Sequence, residues 1–131
     1  MSVGIPAKEE KVKDHESEEM YLETILLLKS EKAAVRSIDV AERLGYAKSS
    51  VSRAVNLLQD RGYIVIDDDG FIGFTQSGES KAKNIYDRHR VLTKLFVSLG
   101  ADIALAEENA CRIEHVIDDK IFDLIKAKVG E

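Results

Sequence analysis

Six side chains in this 131-residue sequence carry donor atoms at spacings that could hold a metal ion. Cys111, Glu114 and His115 stand at i, i+3 and i+4, so a helix would set a thiolate, a carboxylate and an imidazole within about 100° of arc. Met20 and Glu23 are three apart on an earlier segment, and His89 lies on another. Thiolate and imidazole recruit borderline-soft divalent ions, and carboxylate completes such sets. Taken singly, each residue has a plainer use: Met20 as core filler, Cys111 as a small buried hydrophobe, the carboxylates as solvated groups. Nucleophilic catalysis by Cys111 with His115 as base lacks an orienting third group and a glycine-rich oxyanion loop. The reading is therefore non-enzymatic.

A second set of residues suits nucleic acid. Between Lys48 and Arg61, Val51, Ala54, Val55 and Leu58 fall in one apolar sector at about 100° per residue. Ser49, Ser52, Arg53 and Asn56 fall on the opposite side, with Lys48 and Ser50 at the start of the segment. Hydroxyls, a guanidinium and an amide can hydrogen-bond phosphates and major-groove base edges. An ordinary solvated helix face would more often carry Glu and Lys there.

The elements that must position these residues follow from periodicity and caps. Residues 1–14 read as a flexible tail. Ser17 caps a first helix to about Ser30, with Glu18 and Glu19 in its first turn. Ser37 opens a second helix that Gly45 ends, and a third runs from about Lys48 to Arg61, closed by Gly62. The period then changes to 2: Tyr63–Ile66 and Phe71–Phe74 flank Asp67-Asp68-Asp69-Gly70, a hairpin signal. A fourth helix begins near Gln76 or Ser77 and stops before Gly100. Asp102 caps a fifth, Ile103 through Ile117, and Asp118 or Asp119 caps a sixth ending near Val129. Helix, helix, turn, helix and hairpin is the winged helix-turn-helix order. The expected fold is mainly α, with a winged helix-turn-helix and two-stranded wing over 15–76, then an all-helical domain over 77–131.

Composition narrows the setting. Hydrophobic residues make up 44% and charged residues 33%, the balance of a globular chain. No apolar run approaches the roughly 20 residues of a membrane span, and the charged N-terminus is not a secretory signal. One cysteine excludes an internal disulfide, so a cytoplasmic location is expected. The net charge of −5 divides unevenly: residues 1–28 carry −4, residues 29–66 carry +3 and residues 67–131 carry −4. The positive part coincides with the proposed recognition helix. The three wing aspartates would repel phosphate, so the wing tip is not expected to enter a groove.

Four segments carry a family resemblance: Glu19-Met20-Tyr21-Leu22-Glu23-Thr24-Ile25, Val40-Ala41-Glu42-Arg43-Leu44, Arg88-His89-Arg90 and Ala110-Cys111-Arg112-Ile113-Glu114-His115-Val116. Over about Ser17 to Val129 they resemble the diphtheria-toxin-repressor family of iron- or manganese-sensing transcriptional regulators, in a short form without the SH3-like domain. The resemblance implies a DNA-binding domain followed by a helical metal-binding and dimerisation domain. Met20, Cys111, Glu114 and His115 match the main ligands of the iron-sensing branch, and His89 matches its ancillary site. Thr93 and Glu107 depart from that ancillary set, and Glu23 matches a ligand of the manganese-sensing branch instead.

Softness of the donors favours Fe(II), with Mn(II) the alternative and Co(II), Ni(II) or Zn(II) as surrogates. A cation shared by the two ligand groups would tie DNA reading to dimerisation, because the carboxylates repel one another without it. A homodimer would then present two recognition helices to a palindromic operator in double-stranded DNA, about 34 Å apart. The expected function is a metal-dependent DNA-binding regulator, in effect a repressor of metal-homeostasis genes. The alternative is a winged-helix regulator sensing a small molecule or Cys111 oxidation without metal.

Overall fold

The computed structural model describes the backbone of residues 6–130 and the side chains of residues 17–130. Its elements in chain order are α1 (Pro6–Glu31), α2 (Ser37–Leu44), α3 (Lys48–Asp60), β1 (Ile64–Ile66), β2 (Ile72–Phe74), α4 (Gln76–Ser98), α5 (Ile103–Ile113) and α6 (Asp119–Val129). They divide into two compact units, residues 1–83 and 84–131, with the division inside α4.

The first unit is a winged helix-turn-helix. Leu22 and Ile25 of α1, Val40 of α2, Val51, Val55 and Leu58 of α3, and Ile64 and Ile72 of the strands form one buried cluster. Fully burying such a side chain contributes about 1.5–3 kcal/mol. α1 starts at Pro6, so Ser17 lies inside the helix rather than capping it. Residues 7–16 hold three Lys and three Glu, good helix formers, with no Gly or Pro among them, and Pro6 suits a first helical position. The tail expected over 1–14 thus enters α1 from Pro6 onward, while residues 1–5 lie outside the described residues.

α2 opens at Ser37 as expected and is capped by Arg36, whose N–H donates to the Asp39 carboxylate at 2.8 Å. It ends at Gly45, whose φ of 71° turns the chain so that the Tyr46 N–H also returns to the Ala41 carbonyl at 3.2 Å. The two strands pair antiparallel in the register Ile64–Phe74, Val65–Gly73 and Ile66–Ile72. Asp67 shapes the turn between them, its Oδ1 accepting from the N–H groups of Asp69 and Phe71 at 2.9 Å. The hairpin is also held from outside: the Ile72 N–H donates to the Val35 carbonyl at 2.8 Å, and the Ile72 carbonyl accepts from Lys29 Nζ at 2.9 Å.

Thr75 caps α4, its Oγ1 accepting the Gly78 N–H at 3.0 Å. A Cβ on Gly78 would stand 1.8 Å from the Tyr63 carbonyl oxygen, so this turn of α4 closes on the strand entrance only because the residue is glycine.

In the second unit the remainder of α4 is followed by α5 and α6, each capped by the aspartate before it. Asp102 accepts from Leu105 N–H and Asp118 from Lys120 N–H, both at 2.8 Å. Ile85, Leu92, Ala106, Ala110 and Phe122 are buried. Asp87 of α4 accepts from Lys126 of α6 at 2.8 Å and from Arg90 at 2.9 Å. Burial pushes the Asp87 carboxyl up, but the hydrogen bonds from Lys126 and Arg90 outweigh it and hold the group below its ordinary value. α5 stops at Ile113 rather than Ile117, and Glu114, His115 and Val116 form a turn. Among the described residues no helix is long and apolar enough to cross a membrane.

Candidate metal centre and recognition helix

Three of the expected ligands come together within the second unit. Glu114 is 0% exposed. Its Oε2 lies 2.8 Å from His89 Nδ1 and its Oε1 lies 3.2 Å from His115 Nε2, with the imidazole side chains 25% and 9% exposed. A carboxylate fully withdrawn from water is costly unless cationic or hydrogen-bonding groups face it. Here two imidazoles do. A buried carboxylate bracketed by two nitrogen donors is a set that suits a divalent cation of the first transition row.

The local fold explains the convergence. His89 is on α4, one turn before the buried Leu92. The Glu114 N–H still bonds to the Ala110 carbonyl at 2.9 Å, so Glu114 continues the helical path past the last residue of α5. Val116 N–H then bonds to Ile113 O at 3.1 Å, the i→i+3 tightening of a helix end. The i, i+3, i+4 spacing of Cys111, Glu114 and His115 therefore straddles a helix terminus instead of lying within one helix.

The remaining expected ligands lie on α1 and α5. Cys111 is on α5 with an exposed side chain. Glu23 is buried on α1. Met20 is half-buried on α1, and its Sδ accepts from Tyr46 Oη at 3.8 Å, in the turn between α2 and α3. Tyr46 was not singled out from the sequence.

Arg88 was not singled out either, although it adjoins His89. A signal was present: Arg88 shares a helical face with Ile85, Val91 and Leu92, an apolar stripe where a guanidinium needs a reason. The structure supplies one, because Arg88 Nη1 donates to the carbonyls of Glu114 at 3.2 Å and Ile117 at 2.7 Å.

On α3 the two faces separate as the spacing predicts. Val51, Val55 and Leu58 are buried, while Lys48, Ser49, Ser50, Ser52, Arg53 and Asn56 are all exposed. The exposed set offers one lysine, one guanidinium, one amide and three hydroxyls to an approaching duplex.

Comparison with known proteins agrees with this architecture. Residues 15–70 match the iron dependent repressor N-terminal DNA binding domain, and residues 75–131 match the iron dependent repressor metal binding and dimerisation domain. An HTH-type transcriptional regulator of Methanocaldococcus jannaschii is 32% identical over 113 residues, covering 85% of this chain and 90% of the relative. The HTH-type transcriptional regulator MntR of Lysinibacillus sphaericus is 32% identical over 114 residues, 84% of this chain and 82% of its own. The diphtheria toxin repressor of Corynebacterium diphtheriae is 33% identical over 104 residues, and this chain spans 46% of its length. A manganese-dependent transcriptional repressor solved with manganese superposes with a TM-score of 0.78 at 29% identity, over 86% of this chain and 52% of that one. The chain belongs to the iron-dependent repressor family of metal-dependent transcriptional regulators. That membership does not favour the metal-free thiol or small-molecule sensor.

Proposed function

We propose that this protein is a homodimeric, metal-activated repressor that binds a palindromic operator and controls metal-ion homeostasis genes in the cytoplasm, without enzymatic activity. The single observation that carries the reading is the buried Glu114 carboxylate set between His89 and His115. The proposed ligand set is Met20, Glu23, His89, Cys111, Glu114 and His115. Met20, Glu23 and Cys111 enter it on residue type, spacing and family resemblance. The thioether and thiolate favour Fe(II), and Mn(II) is the second choice.

When bound, the cation supplies a double positive charge beside Glu114. His89 and His115 must each offer an unprotonated nitrogen, so acid competes with binding. Metal strengthens DNA binding only as far as it prefers the DNA-competent state of the protein. Lys48, Ser49, Ser50, Ser52, Arg53 and Asn56 are the proposed DNA contacts. Dimerisation is supported by α5 and α6, which leave Ile103, Leu105, Ile121 and Leu124 exposed, apolar side chains that a second copy would cover.

The test is operator selection from random duplexes with Mn(II)-loaded protein. Binding of the selected duplex is then compared anaerobically with Fe(II), Mn(II), Co(II), Zn(II) and a chelator. Retention with metal and loss with chelator is expected. Equal affinity in all arms would overturn the reading.

A further inference from the structure

Arg88 does more than satisfy its own charge. Its Nη1 bridges the backbone carbonyls of Glu114 and Ile117, and its Nη2 donates to the carboxylate of Asp119. The guanidinium carbon stands 5.3 Å from the centre of the Phe122 ring. The last carbonyls of a helix have no partner within it, and a cation near that end complements the helix dipole. Arg88 therefore caps the end of α5 and, through Asp119, the first turn of α6.

That end of α5 is where Glu114 and His115 stand. Arg88 adjoins His89 in sequence and is only 7% exposed, whereas Asp119 is 88% exposed at the far end of the clamp. We infer that Arg88 is a positioning residue for the metal centre: it holds the Glu114–Ile117 turn from behind, so that the Glu114 carboxylate is presented between His89 and His115. Lysine can supply the charge but not the planar fork that reaches two carbonyls and a carboxylate together. Partners one step removed from the ligands commonly change metal affinity 10–100-fold when lost.

This inference rests on the metal-binding reading, and one experiment separates the two. Wild type, Arg88→Lys, Arg88→Ala, Asp119→Ala and His115→Ala are titrated anaerobically with Co(II), reading the affinity and the visible d–d spectrum. The circular dichroism of each metal-free protein reports its folding. Wild type is expected to bind with a defined spectrum and His115→Ala to lose it. Arg88→Lys is expected to stay folded, bind about 10–100-fold more weakly and show a shifted spectrum, with a smaller weakening for Asp119→Ala. If Arg88→Ala does not fold, the Arg88→Lys and Asp119→Ala results decide. Wild-type affinity and spectrum in folded Arg88→Lys would overturn the positioning role while leaving the metal centre standing. Absence of Co(II) binding by the wild type would overturn both.

Discussion

Glu18 Oε2 accepts a 2.7 Å hydrogen bond from Lys81 Nζ, joining α1 to the first turns of α4. The other oxygen accepts from Arg61 Nη1 at 2.8 Å, so one buried carboxylate gathers three elements of the winged helix. Lys81 also reaches Tyr63 Oη at 3.3 Å and lies over its ring. Burial pushes the Glu18 carboxyl up, but hydrogen bonds and charge from Lys81 and Arg61 outweigh it and hold the group below 4.5. Burial likewise pushes the Lys81 ammonium down, and its bonds to Glu18 and Tyr63 reverse this and raise it above 10.5.

The sign of the pH dependence follows. Glu18 contributes stability that is fully present above 4.5 and lost as pH falls through its lowered folded value; Lys81 contributes stability lost as pH rises beyond 10.5. Glu18→Gln should cost about 1.5–3 kcal/mol at neutral pH. It should also flatten the acid limb of stability, measured by urea unfolding between about pH 3 and 7.

Gly78→Ala should destabilise the first unit by about 3 kcal/mol or more, because the added methyl meets backbone, not a side chain that can turn away. Gly73→Ala is the control, since its Cβ would meet only a Val65 methyl at 3.5 Å. Thermal melts of the two variants should differ widely.

Glu114→Gln should weaken Mn(II) binding by more than about 100-fold, beyond the 10–100-fold usual for residues one step from a metal. The metal-free protein should remain folded, because a neutral amide of the same shape is easier to bury than a carboxylate. Calorimetric titration and a metal-free thermal melt check the two halves separately.

Arg53→Ala should weaken binding to the selected operator by about 1–3 kcal/mol if it reads a base, with metal affinity unchanged. Should it contact phosphate, the loss would be shared by unrelated duplexes and the salt slope would fall by about 1. Fluorescence anisotropy across a salt series distinguishes these.

The two faces of α3 were legible because they differ in chemistry: Val51, Val55 and Leu58 against Ser49, Ser52, Arg53 and Asn56. The hairpin was legible from Asp69-Gly70, where Gly70 adopts φ 85°. The end of α5 was not, because no Gly or Pro marks it. It is set by Arg88, which is 26 residues from Glu114, and tertiary caps leave no local signature. The start of α2 at Ser37 was legible, but its cap was not, because the Asp39 carboxylate reaches back to the Arg36 N–H. At the candidate metal centre, spacing brought Glu114 and His115 to notice, but the pairing of His89 with Glu114 depends on how α4 meets the end of α5.

The double hold on Ile72 has a consequence for how copies of this protein meet. A two-stranded ribbon normally exposes unpaired peptide groups along its outer border, a template on which a second chain can add a strand. Here Val35 and Lys29 already occupy the amide and carbonyl of Ile72 on that border. Addition of a strand from another copy is therefore blocked at Ile72.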